Sequence, residues 1–147
     1  MSIEPQLVVP PDMELFVCGW LREALTGRGW NVEVGNREPP DSKYPLARPL
    51  VVVRDDGGPQ TEAVTFDRSI SVSVLGGTRG DSYETMRLAR EAYALLASDR
   101  IALAEGSPIA AVDRASGTNG PYRVVEDPDT TAAYMSLTYR IVGQIAD

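Results

Sequence analysis

The sequence predicts an α+β domain in which two helices cover one face of a mostly antiparallel sheet. Three observations predict it. Two segments repeat apolar residues at helical spacing, two long segments alternate apolar and polar residues, and clusters of Gly, Pro and Asp punctuate the chain between them. The order is helix, strands, helix, then a three-stranded meander. With 147 residues, 43% of them hydrophobic, the chain is large enough for one cored domain (1–147) and too short for two ordinary ones.

The first helix is expected over residues 12–26. Pro10 and Pro11 precede it, and Asp12 is placed to cap it. Met13, Phe16, Val17, Trp20, Leu21, Ala24 and Leu25 recur at helical spacing and form one apolar stripe. Gly27 and Gly29 end it, and residues 30–34 read as a short strand. Residues 36–49 hold Pro39, Pro40, Pro45 and Pro49, a density that neither a helix nor a central strand tolerates, so an irregular loop is expected there.

Residues 50–54 form a β-branched strand that turns at Asp55 to Pro59. In the next strand, residues 63–75, Phe66, Ile70, Val72 and Val74 share one face. Asp67, Ser69, Ser71 and Ser73 share the other, so one face is buried and one is wet or contacting. After the glycine-rich residues 76–80, a second helix is expected over 82–97, with Asp81 and Glu84 at capping-box spacing. Met86, Ala89, Tyr93 and Leu96 mark its core side, and Glu84, Arg87 and Glu91 its surface pairs. Strands over 109–114 and 122–126 flank a hairpin loop at 115–121. A turn at 127–130 leads to a long final strand, 132–145. Its apolar face carries Met135, Leu137, Tyr139, Ile141 and Ile145.

The chemistry is sparse. The absence of histidine excludes Ser-His-Asp and Cys-His catalysis and any histidine-ligated zinc site. Lysine chemistry would fall on Lys43 alone, in the proline-rich stretch. Cys18, the only cysteine, sits in the apolar stripe and reads as a small buried hydrophobe. Gly76, Gly77 and Gly80 precede a helix but lack the lysine and spacing of a phosphate loop. Asp55 with Asp56, and Asp127 with Asp129, offer oxygen ligands without a calcium-loop pattern; turn chemistry explains them better. Arg79, Gly80 and Asp81 spell an adhesion tripeptide, for which chance is the better account. The net charge of −7 opposes sequence-independent nucleic-acid binding. No apolar run reaches membrane-spanning length, and residues 1–11 do not read as a signal peptide. A structural or binding role is favoured, with no cofactor, metal or catalytic residue expected. A small carboxylate-dependent enzyme or metal-binding domain is the rival from another class.

The whole-chain layout resembles the tail terminator (tail completion) proteins of long-tailed bacteriophages. The segments that carry the resemblance are the helix 13–25 and RPLVVVRDDGG from Arg48. DRSISVSVLGGTRGDSYETMRLAREAYALL from Asp67 and GPYRVVEDPDTTAAYMSLTYRIVG from Gly120 complete the set. The resemblance rests on layout and covers most of the chain. It implies a homo-hexameric ring stacked on the last ring of tail tube protein, ending tube growth and presenting a surface to head-completion and connector proteins. It implies a place in the virion tail at the neck, after synthesis in the host cytoplasm, with DNA passing through the lumen without specific binding. A head–tail connector, or stopper, is the alternative within the same class. The family implies regions and no catalytic residues. The loops a ring would use are the proline-rich loop with Arg37, Asp41, Tyr44, Leu46 and Arg48, the glycine-rich loop with Thr78 and Arg79, and the hairpin tip with Thr118 and Asn119. Against this stands the simpler expectation that Tyr44 and Leu46 tuck against their own domain.

Overall fold

The computed structural model describes residues 4–40, 42–78, 80–125 and 130–146. The chain is α+β: β1 (Leu7–Val9), α1 (Met13–Gly27), β2 (Glu33–Gly35), β3 (Leu50–Asp55), β4 (Thr65–Gly76), α2 (Tyr83–Leu96), α3 (Arg100–Leu103), β5 (Ile109–Val112), β6 (Asn119–Val125), β7 (Thr131–Val142) and β8 (Gln144–Ala146). The centre is the antiparallel pair β4–β7, in register over twelve residues from Thr65 opposite Val142 to Gly76 opposite Thr131. β3 lies antiparallel to β4, and β2 lies parallel to β3 at the edge. β1 and β8 form a separate two-stranded antiparallel ribbon.

Period two decides what each strand buries. Val51, Val53, Ile70, Val72, Val74, Met135, Leu137, Tyr139 and Ile141 all point to the face covered by the helices, and all are essentially inaccessible. α1 answers with Met13, Val17, Leu21 and Leu25, and α2 with Leu88, Ala89, Ala92 and Leu96. Asp12 caps α1 as its side chain predicts, accepting from the Leu15 amide at 3.0 Å. Glu14, in the first turn, accepts from the Asp55 amide at 2.9 Å and ties the helix to the end of β3. Tyr139, fully buried, donates its hydroxyl to the Leu96 carbonyl at 2.6 Å. This satisfies one of the carbonyls that the end of α2 leaves without a helical partner.

Several expectations are corrected. A third, short helix follows α2. The capping box does not form: Ser82 occupies the N-cap without a side-chain bond, while the Asp81 backbone exchanges hydrogen bonds with Thr78 and closes the preceding turn. The strand expected from Trp30 starts at Glu33, because the Trp30 amide still bonds the Leu25 carbonyl of α1.

The meander is also revised. β5 and β6 do not pair with each other; both pair with β7, one after the other along the same edge. The link between them does not reverse direction. Asp113 Oδ1 accepts from the Ala115 and Ser116 amides, Thr118 Oγ1 donates to the Asp113 carbonyl at 2.6 Å, and the Thr138 amide donates back to Thr118 Oγ1 at 3.0 Å. Residues 113–118 are thus a bulge clamped to β7 rather than a hairpin tip.

The final strand breaks at Gly143. A Cβ there would meet Val8 Cγ1 at 2.5 Å and Phe66 Cε2 at 2.9 Å. Beyond the break, β8 leaves the sheet to pair with β1, and Ile145, expected on the buried face, is 59% exposed. The turn expected at 127–130 lies outside the described residues except for Thr130.

Candidate interaction surface

The face of the sheet turned away from the helices divides in two. At one end Leu50 and Val52 of β3, Leu75 of β4 and Ala132 of β7 make a second, smaller apolar cluster, with Leu46 of the proline-rich loop packed on it. Topology puts the loop there. β2 and β3 are parallel neighbours, so the chain between them must travel back along the sheet. The helices occupy the other face, which leaves this one. Along the rest of the face the register sets small hydroxyls beside one another: Ser71 opposite Ser136, Ser69 opposite Thr138, and then Asp67 opposite Arg140, joined by an ion pair of 3.2 Å.

Between the proline-rich loop and the sheet lies a groove of about 570 Å³. Val52 and Leu75 contribute its apolar surface, Ser73 and Thr130 its hydroxyls, and Tyr44 and Tyr134 its aromatic surface; Asn36, Arg37, Glu38 and Arg54 complete the lining. Tyr134 also meets Tyr122 of β6 edge to face, with ring centroids 6.3 Å apart. Arg54 reaches Ser73 Oγ only at 3.5 Å, a weak hydrogen bond. Beneath the groove, Thr130 Oγ1 donates to the Gly76 carbonyl at 3.2 Å and Thr131 Oγ1 to the Thr78 carbonyl at 2.7 Å, so two buried threonines fix the ends of the central strands.

The residues singled out from sequence do not converge on one place. Arg37 and Tyr44 line the groove, and Leu46 lies in the cluster beneath the loop, packed on its own domain. Arg48, exposed, donates to Asn31 Oδ1 at 3.2 Å. Thr78 lies two residues beyond β4, where its carbonyl is held by Thr131. Thr118 is committed to the bulge on β7, and Asn119 is exposed at the start of β6. Asp41 and Arg79 lie outside the described residues. Sequence reading missed Arg54, Ser73, Thr130 and Tyr134 as groove residues. The signal was present for three of them: Arg54, Ser73 and Tyr134 each fall on the outward parity of a recognised strand.

The perturbed ionisations lie elsewhere. Burial pushes the Cys18 thiol up, against the opposing pull of Arg22, which leaves it protonated and unreactive at neutral pH. Burial likewise raises Tyr139 well above the usual tyrosine range. Glu91 is held down by its hydrogen bond from Arg28, the centre of a surface network in which Arg87 stacks over Trp30 at 4.4 Å. Asp55 is engaged as a turn former, accepting from the Gly57 amide at 2.8 Å with Arg68 at 3.6 Å; Asp127 and Asp129 lie outside the described residues. Among the described residues no group of three His, Cys, Asp or Glu side chains converges, and no helix is long and apolar enough to cross a membrane. The chain matches no protein-family model and no curated protein.

Proposed function

We propose that this chain is a structural protein of a phage virion, a tail terminator. In this reading it closes the tail tube as a six-membered ring, ends tube polymerisation and meets the head-completion proteins. The observation that carries the reading is the two-sided sheet. One face is sealed by helices; the other carries a band of small hydroxyls beside the loop-covered cluster and its groove. The part of this face beyond the proline-rich loop, with half-open Ser69, Ser71, Ser136 and Thr138, offers a polar contact to a neighbour. The whole-chain layout supports the same reading, and the −7 charge suits a ring through which DNA slides without being gripped.

The test is the number of copies at a purified tube end. Six is expected; one or two overturns the ring. Recovery on filled heads instead of bare tubes assigns the chain to the connector. Tyr44→Ala sharpens the test, since Tyr44 lines the groove while Leu46 is spent on its own domain. The variant is expected to fold and to give overlong tails or unjoined heads and tails. Normal infectious particles remove the groove from assembly.

A further inference from the structure

An asparagine side chain folds back on its own backbone unless something else holds it. The chain has three asparagines. Asn31 precedes Val32 and accepts from Arg48 at 3.2 Å; Asn36 precedes Arg37 and donates to Glu14 Oε1 at 3.2 Å. Asn119 precedes Gly120 and is exposed, and its side chain has no hydrogen bond among the described residues.

The backbone at Asn119 is interrupted as well. Asn119 pairs with Ser136 and Tyr122 with Tyr134, so Gly120 and Pro121 together face Met135 in a second bulge. Gly120 has φ +122°, outside strand geometry. A Cβ on it would lie 2.9 Å from Met135 Cα and 3.0 Å from the Tyr134 carbonyl oxygen, so packing demands glycine. Glycine is also the follower that hinders the Asn119 side chain least. Asp56–Gly57 is the other place where a side chain of this length precedes glycine. There the Gly57 amide is already given to Asp55 Oδ1 at 2.8 Å, and the Ser69 backbone bonds both Asp56 and Gly57. That step is locked, whereas the one at Asn119 is open.

We propose that Asn119 is a self-modifying site, which deamidates through a cyclic imide in the folded protein and releases the start of β6. The Gly120 amide nitrogen gives its proton to hydroxide and bonds Asn119 Cγ. The bond from Cγ to the side-chain nitrogen breaks, and ammonia leaves with a proton taken from water. A further water opens the imide at either carbonyl, giving aspartate or isoaspartate. Attacking and attacked groups lie on adjacent residues, so the reaction is intramolecular and needs only water as co-reactant. Isoaspartate routes the backbone through the former side chain and inserts an extra carbon between residues 119 and 120. Neither neighbour has room to absorb it. Gly120 is pressed on Met135, and Thr118 is clamped to Asp113 and Thr138 at 2.6 and 3.0 Å. The pairing of Asn119 with Ser136 is lost instead.

Peptide mapping of folded protein aged at mildly alkaline pH tests the site. Isoaspartate at 119 is expected to form at least about tenfold faster than at Asn31 or Asn36, and faster as pH rises. The same chain aged in urea gives the unfolded rate. Equal rates at the three asparagines, or conversion at 119 in urea and not in the folded chain, overturns the proposal. Asn119→Gln, whose longer side chain closes a ring poorly, is expected to keep the fold and lose the isoaspartate; isoaspartate persisting in residues 115–125 of that variant overturns the assignment. The release of β6 has its own measurement. The isoaspartyl form, separated by chromatography, is compared with Asn119→Asp, which carries the new charge without the extra carbon. Amide exchange over residues 115–124 is expected to be at least about tenfold faster in the isoaspartyl form. Equal exchange in the two overturns the release.

Discussion

The two faces of the central sheet use adjacent residues of the same strands for opposite ends. On the helix side, Ile70 and Leu137 sit opposite each other with no exposed surface. One residue along, Ser71 and Ser136 sit opposite each other on the far side, partly open and small. Side-chain volume separates the two faces as clearly as polarity does. The covered face is filled by large aliphatic groups whose removal leaves a void. Between the proline-rich loop and the Asp67–Arg140 pair, the open face is lined by Ser69, Ser71, Ser136 and Thr138, groups too small to leave one.

Substitutions that break this contrast are ordered by what they remove. The largest loss is expected at Leu137→Ala, roughly 2–5 kcal/mol by urea denaturation, because the lost side chain leaves a cavity between helices and sheet. Gly143→Ala comes next, at the seam where the covered face meets the ribbon. The new methyl group must displace Val8 and the Phe66 ring, for about 1–3 kcal/mol of overpacking. Limited proteolysis is expected to cut near β1 faster in that variant, since the ribbon has little else to hold it.

Tyr139→Phe keeps the volume of the covered face and removes only the bond to Leu96, leaving a buried carbonyl unsatisfied for about 1–2 kcal/mol. The same residue gives the fold an alkaline limit. Burial raises its ionisation above the ordinary tyrosine value of 10.0, so the folded chain retains a proton that the unfolded chain releases. Its contribution is whole below pH 10 and is lost as pH climbs towards the folded value. Cys18, raised from 9.0, starts a similar loss somewhat earlier. Denaturation curves for Tyr139→Phe are expected to fall less steeply with pH above 10 than those of the natural chain. The smallest effect is expected at Ser71→Ala, within about 0.5 kcal/mol, because it removes a hydroxyl from the open face and leaves no void. A loss at Ser71 as large as that at Leu137 would dissolve the distinction between the faces.

What the sequence revealed follows the reach of each interaction. α1, α2, β3, β4 and the body of β7 are local patterns, and their periods named the side that faces the core, although Phe16, Trp20, Ala24, Met86 and Tyr93 are half-buried and Ser73, expected on the wet face, is buried. In α2, Ala92 and Leu95 flank the expected core side and are buried with it, while Thr85 and Leu88 are buried outside it. Pairing partners are not local. Nothing in residues 109–125 announces that both strands lie on β7, because the choice is made by Asp113 and Thr118 bonding to the backbone of a strand that follows them. Leu7–Val9 is too short to signal a strand without β8 beside it. The proline-rich loop was legible as a loop from its prolines. Its position over the open face was not, since that follows from the parallel pairing of β2 with β3. The groove therefore came into view only when residues from four distant segments met around it.

The register of β4 against β7 also sets a schedule. Its first strand is complete at residue 76, and its second begins at 131 and ends at 142. Until the later residues are made, β4 has β3 on one side and an unpaired edge on the other. Contacts between segments so distant along the chain form slowly, because the intervening loop must close before any of them is rewarded. A nascent chain carrying a long, half-paired strand is exposed to mispairing with its neighbours. The serines on the outward side of that strand have a second use: they interrupt what would otherwise be a continuous apolar run on the waiting strand before its own partner arrives.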